Sequence, residues 1–408
     1  MKRMNLPAAM LTSACFVFVM AAFGPLLSGQ ELSTEAQSGV RNRDDKVVGA
    51  VYVASNGIHG NDVLIFRRHA DGKLSEGEKV ATGGRGTGGL LKNQGAVTLS
   101  KGNEWLFVAN PGSDDISVFR VIEGGALVLV DRARSGGDRP VSVTVTQDLV
   151  YVANAGSSGN ITGFRVRHDG KLKQIPSSTR PLSTTAFETC KPPVVDLGDP
   201  DAKCSIAGPT TIGFSPDGNV LVVTERLVSH IDTWTLDDDG LATSSGIFQQ
   251  PTNSTPFGFA FADRGRIVVA DSFLDKPPLA AASSFILSDD GTLTAKTVAL
   301  GNGNASTCWV VISNDGRFAF VTQPVSQSIS SYAIEADGNL SLLNPSAAEV
   351  PGGDPRDEHL SGNGRFLYAL NNRTGTVTSF RVKGDGSLVL LCLTAGRVPS
   401  GANGLAAR

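Results

Sequence analysis

The chain is expected to fold as an all-β, seven-bladed β-propeller with four-stranded blades, its ring closed by a C-terminal strand that joins the first blade. Three observations carry that expectation. The 408 residues include 47 Gly and 20 Pro, with 40% apolar and only 18% charged positions, a composition of short strands and tight turns rather than of disorder. One phrase recurs seven times: an apolar strand ending in a small residue and a polar one, a turn, then an alternating strand. Its period is about 50 residues, the length of a four-stranded blade.

At the N-terminus, Lys2 and Arg3 precede an apolar stretch from Leu11 to Leu27, after which the chain turns polar. That is the layout of a secretory signal. Residues 1–29 are read as a signal peptide, 30–47 as a flexible linker and 48–408 as the propeller. The stretch is short for a membrane span and is broken by Gly24-Pro25, which favours a cleaved signal over an uncleaved anchor. A secreted or periplasmic protein is expected, with no stable membrane insertion once the signal is removed. The net charge of −3, from 36 basic and 39 acidic residues, gives no basic face for a nucleic-acid partner.

The seven strand cores read VYVASN at Val51, LFVAN at Leu106, VYVAN at Val150, LVVTE at Leu221, IVVAD at Ile267, AFVTQ at Ala319 and LYALN at Leu367. Val53, Val108, Val152, Val223, Val269, Val321 and Ala369 are then equivalent, at spacings of 55, 44, 71, 46, 52 and 48. Each core is followed by a strand of period 2, such as ISVFRV or VTSFRV, as half-buried β structure requires. Most copies then reach an Asp-Gly pair, among them Asp71-Gly72 and Asp239-Gly240, which supplies the positive φ of a tight reversal. Every copy but the first has an upstream strand, and the C-terminal SGANGLAAR reads like the missing one. Closure in that way leaves no unpaired strand edge and needs no partner chain, so a monomer is expected.

The spacing of 71 contains an insertion at about 176–207, in which Cys190 and Cys204 bracket a Pro- and Asp-containing segment. A bridge between them is expected, with Cys308 and Cys392 as two thiols rather than a second bridge.

The blade phrases SPDGNVLVVTERLVSHIDTWTLDDDG and SGNGRFLYALNNRTGTVTSFRVKGDGSL, with Pro355-Arg356-Asp357 opening the last blade, resemble those of the lactonase family of seven-bladed propellers. That family includes 6-phosphogluconolactonase and the carboxymuconate-lactonising cyclases. The resemblance spans residues 48 to 408 and implies a lactone-opening or lactone-forming site in the channel. Members carry Gly-Pro-Arg-His before the central blade's inner strand, where this chain has Gly208-Pro209-Thr210-Thr211. The family's glutamate falls on Arg226, with Glu225 one position earlier; on a strand, that offset reverses the side chain's face.

Equivalent repeat positions form rings around a propeller axis. Two residues after each reference position stand Ser55, Asn110, Asn154, Glu225, Asp271, Gln323 and Asn371. One reading has these groups satisfying turn backbone. The other has Glu225 and Asp271 as an acid–base pair, with Asn110, Asn154, Gln323 and Asn371 as substrate-binding amides. No cofactor is required, although carboxylates and amide oxygens could hold a divalent cation such as calcium; no zinc-type Cys or His pair is present. A second ring, at the family's arginine position, reads Gly95, Val141, Thr210, Phe257, Cys308, Arg356 and Asn403. Arg356 is the third catalytic candidate, holding a carboxylate or oxyanion, or else it pairs with Asp357 or Glu358. His359 is read as packed or exposed rather than as an acid–base group. Two functions remain open: an exported lactonase-like enzyme acting on a small cyclic ester at the channel mouth, or a non-catalytic extracytoplasmic propeller that binds a protein, glycan or small ligand.

Overall fold

The most apolar phrase of each repeat forms the second strand of a blade, where it is enclosed on both faces. In the computed structural model, which describes residues 46–190, 202–251, 254–263, 265–275, 279–396 and 398–408, seven antiparallel sheets of four strands make the ring. Blade 1 uses 47–81 and 403–407, blade 2 uses 97–134, blade 3 uses 140–174, blade 4 uses 209–249, blade 5 uses 256–301, blade 6 uses 310–349 and blade 7 uses 355–395. Blade 3 gains a two-residue fifth strand, Arg180–Pro181. The proposed signal peptide lies outside the described residues, as does nearly all of the linker. Among the described residues no helix is long and apolar enough to cross a membrane.

Burial falls from the second strand outward. In blade 4 all six residues of Val220–Glu225 are buried, whereas the outer strand Ile247–Gln249 exposes Ile247 and Phe248. The second strand touches a neighbouring blade on each face, so both of its side-chain sets must be apolar or internally paired. The core is therefore a series of layers between blades, such as the one joining Tyr151 and Leu149 of blade 3 to Leu221, Val223 and Trp234 of blade 4.

Turn glycines latch three of the blades to the ones before them. Tyr52 of blade 1 donates its hydroxyl to Gly125 O of blade 2 at 2.8 Å, Tyr151 of blade 3 to Gly240 O of blade 4 at 2.9 Å, and Tyr368 of blade 7 to Gly72 O of blade 1 at 3.1 Å. These buried phenols thus find acceptors in the adjacent blade. At Gly72 the backbone has φ +92°, and a Cβ would lie 2.2 Å from the Phe366 ring. Only glycine meets both conditions.

The C-terminal strand Asn403–Ala407 pairs antiparallel with Val47–Ala54, setting Val51 opposite Ala407 and Val53 opposite Leu405. It supplies the innermost strand of blade 1 and closes the ring, as expected. The Cys190–Cys204 bridge is present. It sits beside a small hairpin, Phe187–Thr189 with Lys203–Ser205, that belongs to the insertion. Cys308 is a buried thiol, but Cys392 is disulfide-bonded, which corrects its reading as a thiol. Cys392 lies on the outermost strand of blade 7, Leu388–Ala395, where no further strand of the blade covers it.

Candidate active site in the central channel

Residues from the innermost strands of all seven blades enclose a cavity of about 430 Å³ on the propeller axis. Phe214, Phe259 and Phe261 form an apolar wall, and Asp357, Glu358 and His359 stand on the blade 7 side. The lining includes turn residues Asn314 and Gly362, so the cavity lies toward the ends of the inner strands. The other mouth is filled. Gln94 crosses it, donating its backbone N–H to Thr210 O at 3.0 Å and its amide N–H to Val310 O at 2.9 Å. Trp309 donates Nε1–H to Asn93 O at 2.7 Å and packs edge-on against Phe257. Phe257 and Cys308 of the second ring thus form a plug with Trp309.

Blade 7 differs because its inner strand, Pro355–Leu360, reads PRDEHL where those of blades 4 and 5 read PTTIGF and PFGFAF. Asp357 is 3% exposed; its Oδ1 accepts from Glu358 N at 3.0 Å and its Oδ2 from Leu405 N at 3.2 Å. Burial outweighs these bonds and pushes its carboxyl up to about 7. Glu358 is 1% exposed, and neither carboxyl oxygen has a hydrogen-bond partner. Burial, then the charge of Asp357, raises it well above the ordinary glutamate range. His359 is half-buried, and burial lowers its pKa, leaving a neutral imidazole. Its Nδ1 lies 2.7 Å from Leu360 O; a carbonyl only accepts, so Nδ1 carries the proton and Nε2 keeps its lone pair. An imidazole with a defined tautomer and two enclosed carboxyls of raised pKa therefore share one strand beside an apolar chamber. That is a combination capable of acid–base chemistry.

The residues singled out from the sequence lie elsewhere. Asn110, Asn154, Glu225, Asp271, Gln323 and Asn371 end second strands and Ser55 directly follows one; all are buried and none lines the cavity. Asn110 donates to Asp115 and Ser117 at 2.8 Å each; Asn154 donates to Asn160 Oδ1 at 2.8 Å. Gln323 is held by Ser328 and Ser330, and Asn371 donates to Thr378 Oγ1 at 2.6 Å. Asp271 accepts from Ser254 and Ser283 at 2.5 Å each, yet burial pushes it up to about 7. Glu225 accepts from the backbone N–H and hydroxyl of Ser183 in the insertion. Arg356 is not in the cavity lining; its guanidinium clasps Asp354 through Nε at 2.9 Å and a second nitrogen at 2.8 Å. Its partner is thus two residues before it, not Asp357 or Glu358. The structure brings none of these groups together with the cavity, whereas His359, Asp357 and Glu358 had a visible signal: a run of three titratable residues on an inner strand.

Residues 50–189 and 287–402 match the family model described as Lactonase, 7-bladed beta-propeller. Uncharacterised proteins of Staphylococcus aureus strains N315 and USA300 are 34% identical over 116 residues, 28% of this chain. The chain spans about a third of the length of these curated relatives (34%). Among solved structures, a periplasmic gluconolactonase of Pseudomonas aeruginosa superposes with a TM-score of 0.65 at 18% identity, covering 87% of this chain and 98% of that one. A candidate 6-phosphogluconolactonase of Bacteroides uniformis gives 0.65 at 16% identity, covering 87% and 99%. Hydrazine synthase of Kuenenia stuttgartiensis gives 0.54 at 14% identity, covering 85% and 99%, so the architecture serves unrelated chemistries and these likenesses show the fold alone. With repeat, ring closure and family model in agreement, the chain belongs to the lactonase family of seven-bladed β-propellers.

Proposed function

We propose that this protein is an exported lactonase-type enzyme that opens, or in reverse closes, a small neutral cyclic ester in the channel cavity. The observation that carries the reading is His359: a neutral imidazole, its tautomer set by Leu360 O, in the lining of a chamber with phenylalanine walls. Nε2 takes a proton from water as the water oxygen attacks the lactone carbonyl. Collapse of the tetrahedral intermediate breaks the ring C–O bond, and the departing alkoxide recovers the proton from Nε2. The product is a hydroxy acid. The enclosed carboxyls of Asp357 and Glu358 favour a neutral substrate, and the lining contains no Lys or Arg; a phosphorylated lactone would enter without a countercharge. Export is supported by the basic-then-apolar N-terminal sequence and by the Cys190–Cys204 bridge, which suits an oxidising compartment.

A ligand-binding role without turnover is the second reading, favoured by the enclosure of both Glu358 carboxyl oxygens. A pH-stat assay of the purified protein against neutral aliphatic, sugar and phosphorylated sugar lactones separates the two. Acid release from a neutral lactone, with none from its phosphorylated counterpart, supports the enzyme. Saturable lactone binding with no acid release would replace it with the binding role.

A further inference from the structure

We propose that Glu225, His230 and Asp232 bind one divalent transition-metal ion of the zinc class, beneath the insertion that covers blade 4. These residues are brought together by strand geometry. Glu225 ends the second strand of blade 4 and is paired directly with His230, which starts the third. Asp232 is two residues further on and so shares the face of His230. One potential ligand atom from each residue lies within 4.8 Å of the others, and no other such cluster occurs among the described residues.

A second observation points to a ligand. Asp232 is 0% exposed, and neither of its carboxylate oxygens has a hydrogen-bond partner; His230 Nδ1 also has none. The His230 Nδ1 to Asp232 Oδ1 separation is 3.8 Å, too long for a hydrogen bond and within the span of two bonds of about 2.1 Å meeting at one ion at a widened angle. Buried acceptors left unpaired are costly, and two carboxyls facing each other repel. A dication held by one oxygen of each carboxylate and by His230 Nδ1 would offset that repulsion and give Asp232 and His230 a partner. Ser183 meanwhile donates its N–H and hydroxyl to Glu225, holding it as outer partners hold metal-binding carboxylates. One imidazole and two carboxylates suit zinc and its first-row neighbours; calcium asks for six to eight oxygens. Such an ion would clasp the start of the insertion to blade 4.

The test is zinc titration of the purified full chain in competition with a chromophoric chelator, alongside thermal melting. The expected result is one zinc per chain, at least tenfold weaker binding in Asp232→Asn and His230→Ala, and unchanged binding in Asp148→Asn, which alters an exposed carboxylate. Zinc should raise the melting temperature of the wild type and not of Asp232→Asn. Should either variant fail to fold by circular dichroism, X-ray absorption on the zinc-loaded wild type decides between one-nitrogen, oxygen-rich coordination and any other set. No stoichiometric zinc, binding of calcium in preference to zinc, or equal zinc affinity in Asp232→Asn would overturn the assignment.

Discussion

Between pH 5 and pH 8 the folded propeller must ionise two enclosed aspartates, and its stability is expected to fall as it does so. Asp271 and Asp357 both titrate near 7 in the folded chain because burial outweighs their hydrogen bonds, against about 3.9 in an unfolded chain. The folded state therefore holds more protons across the interval, which makes low pH stabilising and rising pH destabilising. Integrating from pH 5 to pH 8 gives a loss of about 2.5 kcal/mol per group. Glu358 and Asp232 are also raised, and their contributions cancel when variants are compared with wild type. The lowered pKa of His359 works in the opposite direction, but it cancels when variants are compared with wild type. The perturbation is Asp271→Asn, which keeps an acceptor for one serine and removes the ionisation. Urea unfolding at the two pH values should show the wild type losing about 2.5 kcal/mol more than Asp271→Asn. Equal losses within about 0.5 kcal/mol would refute the reasoning, since Asp271 would then ionise in the fold as it does in the unfolded chain.

Removing residues 403–408 should destabilise the ring by about 1.5–3 kcal/mol through loss of Leu405 alone, which is 2% exposed. It should also expose the Val47–Ala54 edge, read as concentration-dependent association in analytical ultracentrifugation. Replacing both Cys190 and Cys204 by Ala should cost about 3 kcal/mol by urea unfolding, from a crosslink closing a short loop, while leaving a folded propeller by circular dichroism.

The repeat was readable because each blade reuses the same interblade contacts. The glycine carbonyls at 72, 125 and 240 each receive a tyrosine hydroxyl from the preceding blade, so the turn residues could not drift. Ring closure followed from the missing first strand, and the 190–204 bridge from its short loop. The site was harder to read for a related reason. The strongest apolar phrase marks the second strand, enclosed by blades on both faces, and the polar residues that end it are held by nearby side chains of their own blade or of adjoining segments. Asp271 has its two serines, Asn110 has Asp115 and Ser117, and Glu225 has Ser183 from an insertion 42 residues earlier. No repeat alignment reveals that last contact. The inner strands carry weaker signals because they face the channel, yet PRDEHL stood out from PTTIGF and PFGFAF. Reading by strand position rather than by phrase strength points to His359 as a residue of the cavity lining.

The most direct test of a catalytic channel is the initial rate of neutral-lactone hydrolysis at pH 7 by wild type, His359→Gln and the surface control Asp148→Asn, with folding checked by circular dichroism. General-base loss should lower the His359→Gln rate by roughly 10²–10⁴-fold while Asp148→Asn matches wild type. A folded His359→Gln protein that hydrolyses the lactone at the wild-type rate would contradict the account.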